Sequence, residues 1–319
     1  MSKQATAANR LNKKTSSKKE LVEPRFRITD YALLLKPRVM SLVVFTAAAG
    51  MLLAPGGIAS IGLLKAGIAI FCIAIGAGAS GAINMWYDRD IDLNMLRTKN
   101  RPLPAGRLQP IEALVFGIFL ACGSTFSLAW WVNWNSAALL AFTIIFYVFI
   151  YTVWLKRRTP HNIVIGGASG ALPPVIGWSA VAGNVNLEAI ILFAIIFFWT
   201  PPHTWALALY RRSDYEAAGV PMMPVVAGEL KTKLHILFYT AVLIPVTLLP
   251  IAIGMSGIIY GIFAITLGTK LARHSWLVFK DNSPDGGNTA RPMFFFTLLY
   301  LFLIFVGLLA DRVIFVPIF

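Results

Sequence analysis

From about residue 38 onward the chain alternates long apolar runs with short polar stretches, and no window keeps the strict two-residue alternation of a half-buried strand. Nine runs are long enough, or nearly so, to cross a bilayer as helices, which takes about 20 residues each. They cover roughly 38–56, 61–84, 110–131, 137–155, 162–182, 187–209, 233–253, 256–272 and 293–314. The eighth is short and contains glycine. The pattern predicts an all-α polytopic membrane protein: a basic, disordered cytoplasmic tail over 1–30, then one nine-helix domain over 31–319.

Composition agrees with that class. Hydrophobic residues make up 57 % of the 319, charged residues 13 %, and mean hydropathy is +0.71. These values lie outside the range of soluble globular chains. Cys72 and Cys122 fall inside apolar runs with no metal-ligand spacing and read as small core residues.

The net charge of +14 would suggest nucleic acid if it were spread over a surface, but it is confined to one side of the predicted spans. Of 28 Lys and Arg, only Lys65 and Arg312 fall on the outer half when the N-terminus is placed inside, which leaves 26 within. That is the positive-inside pattern, so the charge sets orientation and no nucleic-acid partner is expected. The tail has no apolar core at signal-peptide distance and is Lys- rather than Arg-biased. It reads as a segment held at an anionic cytoplasmic leaflet of a bacterial inner membrane.

Two inner loops carry acids among their bases. The first follows the second span, Asn84-Met-Trp-Tyr-Asp88-Arg-Asp90-Ile-Asp92. Asn84, Asp88 and Asp92 are spaced i, i+4, i+8 and stack along one helix face. Such a row of hard oxygen donors suits Mg²⁺, which takes one or two carboxylates and completes its shell with water and substrate phosphates. Arg97, Lys99, Arg101 and Arg107 follow in a loop broken by Pro102, Pro104 and Gly106. Cations beside carboxylates fit a metal-bridged diphosphate, with guanidinium forks holding the remaining oxygens. Lys36 and Arg38 stand at the start of the first span as further candidates, whereas the run Lys156-Arg157-Arg158 reads mainly as an orientation signal.

The second acidic loop, Tyr210-Arg211-Arg-Ser-Asp214-Tyr-Glu216, comes four helices later. That interval predicts an internal duplication that brings the two acidic helix ends over one cavity. Just before it, His203 sits within two turns of the inner end of its span, after Pro201 and Pro202. A polar ring at that depth faces the bundle interior, as haem ligand, proton acceptor or structural hydrogen-bond partner. His161, His235 and His274 read as surface or helix-end residues.

The row Asn84-x-x-x-Asp88-x-x-x-Asp92 with a second acidic loop resembles the intramembrane aromatic (UbiA-type) prenyltransferases. Five stretches narrow the likeness to the protoheme farnesyltransferase (haem O synthase) family. They are Lys36-Pro-Arg-Val-Met-Ser-Leu, Asn84 to Asp92, Arg97-Thr-Lys-Asn-Arg-Pro-Leu-Pro-Ala-Gly-Arg107, Gly170-Ala-Leu-Pro-Pro-Val-Ile-Gly-Trp178, and Pro202-His203-Thr-Trp-Ala-Leu-Ala-Leu-Tyr210 continuing to Asp214 and Pro224. The resemblance implies transfer of farnesyl from farnesyl diphosphate to a vinyl group of haem b, with water added, releasing diphosphate and giving haem O for terminal oxidases. It implies Mg²⁺ held by Asn84, Asp88, Asp92 and Asp214, and catalytic roles for Asp88, Asp92, Asp214 and His203. It implies substrate contacts from Asn84, Lys36, Arg38, Arg97, Lys99, Arg101, Tyr210 and Arg211. Haem b enters as substrate, and haem A synthase or terminal-oxidase assembly factors are the candidate protein partners. Where the superfamily carries two aspartates four apart in the second loop, this chain has Tyr210 and Asp214, so a full second ligand set does not carry over. Within the enzyme class the alternative acceptors are a quinone precursor or a chlorophyll-type ring. A transporter is disfavoured because the acids cluster at one interface and not at the midplane.

Overall fold

The computed structural model describes residues 28–283 and 288–314, and among them every regular element is helical. The expected tail therefore lies outside the described residues up to 27, while 28–30 already belong to a helix. In chain order the helices are α1 (Ile28–Leu34), α2 (Pro37–Leu53), α3 (Gly57–Tyr87), α4 (Arg89–Leu93), α5 (Pro110–Trp131), α6 (Trp134–Leu155) and α7 (Asn162–Ala182, interrupted at Leu172). There follow α8 (Leu187–Tyr210), α9 (Arg212–Ala217), α10 (Met223–Val226), α11 (Gly228–Ala252), α12 (Ile258–Lys280) and α13 (Ala290–Val313).

All nine expected runs are helical, but a count of nine spans is not confirmed among the described residues. Seven helices are long and apolar enough to cross a bilayer, or eight if α1 and α2, bent by 52° at their junction, form one broken span. The helix that falls short is α12. It has the length, at 23 residues, but carries Lys270, Arg273, His274 and Lys280, which lower its apolarity.

The helices pack largely as neighbours in sequence and the ring closes when α13 returns to α2. Phe45 meets Phe302 there, with ring centroids 4.8 Å apart. The second half of α7 sits at the centre, where 78 % of the α7 span is buried. Its small residues explain the position. A Cβ on Gly177 would lie 2.0 Å from the Ala47 carbonyl oxygen, and one on Gly50 2.1 Å from that of Pro174, so only glycine lets α2 and α7 approach this closely. Pro173 opens the second half of α7, where its missing N–H costs no ladder bond.

Two features aim side chains at the site. In α6 the winding loosens over Phe146–Leu155 into π-helix, a departure concentrated at functional sites. Between α1 and α2, Lys36 has φ 52° and is the only non-glycine with positive φ among the described residues. A left-handed lysine before a proline is strained by roughly 1–3 kcal/mol and persists only where its surroundings hold it. Leu34, Ala82, Met85, Leu103 and Leu108 supply that hold, together with the ion pair from Arg107 Nε to Asp30 at 2.9 Å.

Candidate active site

The i, i+4, i+8 row survives the end of α3. Asp88 terminates the helix, yet its N–H donates to the Asn84 carbonyl at 2.9 Å and the Asp92 N–H to the Asp88 carbonyl at 2.9 Å. The three side chains thus stay on one face and are buried, with Asp88 at 0 % exposure. Each has a cation against it. Lys36 Nζ donates to Asn84 Oδ1 at 2.7 Å, Arg101 Nη1 to Asp92 Oδ2 at 2.7 Å, and Lys156 Nζ to Asp88 Oδ2. Asn84 Nδ2 donates to Asp88 Oδ2 at 2.7 Å and to Thr152 Oγ1 at 3.1 Å, which turns the amide so that its oxygen faces Lys36.

These groups form the polar mouth of a cavity of about 330 Å³ between α2, α3, α6 and α7. Lys36, Asn84, Asp92, Arg97, Arg101 and Lys156 line the mouth. Val39, Met40, Val43, Ala77, Tyr147 and Tyr151 line the apolar part, with Gly170 and Pro173 beside them. The Tyr147 and Tyr151 rings lie 5.2 Å apart, and Gly166 leaves room for the second ring, since a Cβ there would stand 2.2 Å from it.

Asp90 has a different environment. It is exposed and held by a bidentate fork from Arg157, with both contacts at 2.7 Å. Those hydrogen bonds lower its pKa below the usual carboxylate range, and the same pairing raises that of Arg157, whose guanidinium also lies over the Tyr87 ring at 4.8 Å.

The two acidic loops meet, but the second does not reach the cavity, since Tyr210, Arg211 and Asp214 are not among its lining residues. Ile91 and Met95 of the first share an apolar cluster with Tyr215, Val220 and Met222 of the second. Asp214 is buried there, 3.8 Å from Arg211, and its Oδ2 has no hydrogen-bond partner. Tyr210 packs edge-on to Phe294 and beneath Arg211.

Other expected site residues lie elsewhere. Lys99 and Arg38 are exposed and do not line the cavity, and Arg107 serves the α1 junction. His203 stacks between Trp199 and Phe294, with centroids at 4.2 and 4.6 Å, and faces α13. Its Nδ1 lies 2.7 Å from Thr297 Oγ1, which is also 2.6 Å from the Phe294 carbonyl. The hydroxyl can accept from or donate to Nδ1, so the contact fixes the ring in place without fixing its tautomer. Lys156 was undervalued by sequence reasoning. Tyr147 and Tyr151, one helical turn apart just before it, were the available signal that this stretch faces a site.

The donor set fits a magnesium ion. It consists of amide and carboxylate oxygens, and Asp88 Oδ1 and Asp214 Oδ2 are buried oxygens without hydrogen-bond partners. Among the described residues no three His, Cys, Asp or Glu are grouped to enclose a metal by themselves. That is the expectation for Mg²⁺ completed by substrate phosphates, and not for a protein-only cage.

The model of the UbiA prenyltransferase family matches residues 43–306. Two relatives are the protoheme IX farnesyltransferases of Granulibacter bethesdensis, 55 % identical over 89 % of this chain and 90 % of its own, and of Brucella ovis, 50 % identical over 96 % and 97 %. Among solved structures, a digeranylgeranylglyceryl phosphate synthase superposes with TM-score 0.72 at 18 % identity, covering 89 % of this chain and 97 % of its own. A UbiA homolog from Archaeoglobus fulgidus bound to GPP and Mg²⁺ gives 0.61 at 17 %, covering 88 % and 99 %. With most of its length matched by the family model and half or more of the aligned residues shared with these relatives, the chain belongs to the UbiA prenyltransferase family and, within it, to the protoheme IX farnesyltransferases.

Proposed function

We propose that this protein transfers the farnesyl group of farnesyl diphosphate to a vinyl group of haem b, with addition of water, forming haem O and releasing diphosphate. One observation carries the reading of the site: cations and oxygen donors converge at the mouth of a single apolar cavity. A diphosphate belongs at the mouth and an isoprenoid chain inside.

Asn84, Asp88 and Asp92 would hold Mg²⁺ together with the diphosphate, and Asp214 would serve from the second loop. The ion supplies charge neutralisation for the leaving diphosphate. Arg101 and Lys156 turn from the carboxylates, and Lys36 from the Asn84 amide, to the diphosphate oxygens as substrate binds, joined by Arg97 at the mouth, and their fixed charge stabilises the leaving group as the allylic C–O bond breaks. Val39, Met40 and Val43 keep water from the farnesyl chain, while the faces of Tyr147 and Tyr151 stabilise the positive charge left on it. The vinyl group of haem b supplies the electron pair for the new carbon–carbon bond. Water adds to the resulting cation beside the porphyrin and loses a proton, completing the hydroxyethylfarnesyl substituent. His203 is the candidate proton acceptor for that step. Lys99, Arg38, Tyr210 and Arg211 form the outer rim that guides the diphosphate in.

The site faces the cytoplasm of a bacterial inner membrane, with the N-terminus on the same side, a reading that the distribution of basic residues supports. Haem A synthase or an oxidase assembly factor receives the product. The test is haem extraction and mass spectrometry from cells carrying the intact protein or Asp88→Asn. Hydroxyethylfarnesyl haem forms only with the intact protein. Unaltered haem b in both, with both proteins folded in the membrane, removes the haem assignment in favour of a quinone-precursor acceptor.

A further inference from the structure

A second concavity, of about 310 Å³, lies on the flank of the bundle away from the farnesyl cavity. Its lining is His161 at the start of α7, Trp205 of α8, and Leu234, His235, Phe238 and Tyr239 of α11. Helix α8 packs against both of the others, so Trp205, at 0 % exposure, is the floor of a groove walled by α7 and α11. Leu234 and Phe238 are exposed, which opens the groove toward the acyl region of a bilayer.

Three features of the groove call for a ligand. His235 Nδ1 lies 2.7 Å from the Lys231 carbonyl, which can only accept, so Nδ1 carries the proton and Nε2 a free lone pair. A backbone carbonyl fixing one ring nitrogen so that the other is presented is the arrangement found behind metal-ligating histidines. The indole ring of Trp205 stands edge-on to His235 and to Tyr239, both with centroids at 5.4 Å, and its Nε1–H is buried without a partner. A buried donor of this kind is destabilising unless an acceptor reaches it. Apolar walls, a ready imidazole nitrogen and an unanswered N–H together match a flat apolar ring with a metal at its centre and an acceptor at its edge.

We propose that this groove is a docking site for an iron porphyrin, with His235 Nε2 as axial ligand and the Trp205 N–H meeting a propionate or other edge acceptor. The inference rests on the haem-farnesylating reading above and adds a place where the acceptor is held before it reaches the farnesyl cavity. His161 belongs to the connection that carries Lys156, five residues earlier, so the groove and the mouth of the cavity lie at the same end of the molecule.

The experiment is titration of the purified full-length protein in nanodiscs with haem b, read at the Soret band, with farnesyl transfer measured on the same preparations. The wild-type protein shows the band of histidine-ligated haem. His235→Gly loses it with at least a tenfold rise in Kd, and added imidazole restores it, which a merely misfolded variant would not allow. Metal-free protoporphyrin IX binds wild-type and His235→Gly alike, because it has no iron to ligate. Trp205→Phe, which keeps the ring but not the donor, weakens both ligands by several-fold. An identical Soret band and Kd in His235→Gly, with farnesyl transfer intact in both, overturns the groove and leaves the reaction standing. A wild-type protein that neither binds nor farnesylates haem b overturns both.

Discussion

Three aspartates within five residues have three different jobs. Asp88 is fully buried beneath Lys156 and Asn84, Asp92 is buried against Arg101, and Asp90 reaches solvent on the opposite face with Arg157. Asp90→Asn should leave farnesyl transfer within about twofold and stability within ~1 kcal/mol, as for other exposed pairs. Asp88→Asn should lower transfer by at least 100-fold in the same assay. The sign of the pH effect follows from the lowered pKa of Asp90. Its contribution is present above the ordinary carboxylate pKa of about 4 and fades as pH falls through the lowered value. A stability difference between wild type and Asp90→Asn, read by thermal unfolding, should therefore shrink in acid and stay constant between pH 6 and 8. Gly170 offers the complementary test inside the cavity. A Cβ there meets no atom within 4 Å, although the residue lines the cavity wall. Gly170→Leu should fold normally yet fill space that the isoprenoid needs. We expect kcat/KM for farnesyl diphosphate to fall at least tenfold relative to that for geranyl diphosphate.

At the scale of the helix, the two elements that shape the cavity depart from regular geometry. The π-winding of Phe146–Leu155 brings Tyr147, Tyr151 and Thr152 to the site, and the second half of α7 depends on glycine to reach α2. Gly177→Ala should cost roughly 1–3 kcal/mol, because its methyl group meets the rigid Ala47 carbonyl. Gly183→Ala, at the outer end of the same helix, meets open space but forces a φ of 72°, so its cost is strain alone. Thermal unfolding in detergent, with and without a non-hydrolysable farnesyl diphosphate analogue, separates the two. The analogue should stabilise Gly183→Ala as it does wild type, but less so Gly177→Ala, whose defect sits beside the cavity. These elements also mark what the sequence could convey. Periodicity located every long helix because apolar spans have length, and the Asn84 row was readable because i, i+4 spacing survives in any helical turn. Lys156 was not, because a basic run at a helix end looks the same whether it orients the chain or binds a phosphate. Nor was the span status of α12, since the helix has the length to cross while Lys270, Arg273 and Lys280 on its exposed side lower its apolarity.

At the scale of the whole molecule, the groups that would bind diphosphate and those that would orient the chain are the same population. The bundle gathers Lys36, Arg101, Lys156 and Arg211 at one end, where the carboxylates of both acidic loops also lie, and the connection between α7 and α8 at the other carries no basic residue. Insertion with this end inward is favoured because Lys and Arg near short loops resist export. A prenyl diphosphate arriving from the cytoplasmic side would then meet its site without crossing the membrane. Helix α8 gives the ruler for a test. Its 24 residues span about 36 Å at 1.5 Å per residue, enough to separate Val185 before it from Ala217 after it by the full bilayer. Both positions are exposed and neither belongs to the cavity. In a Cys72→Ala, Cys122→Ala background, Val185→Cys should react with a membrane-impermeant maleimide on spheroplasts, whereas Ala217→Cys should react only after lysis. The reverse pattern would place the diphosphate mouth outside, where neither the charge distribution nor a cytosolic donor could account for it. Equal labelling of both before lysis would mean that α8 does not cross the membrane, so that the ring of helices is not inserted as its apolar faces demand.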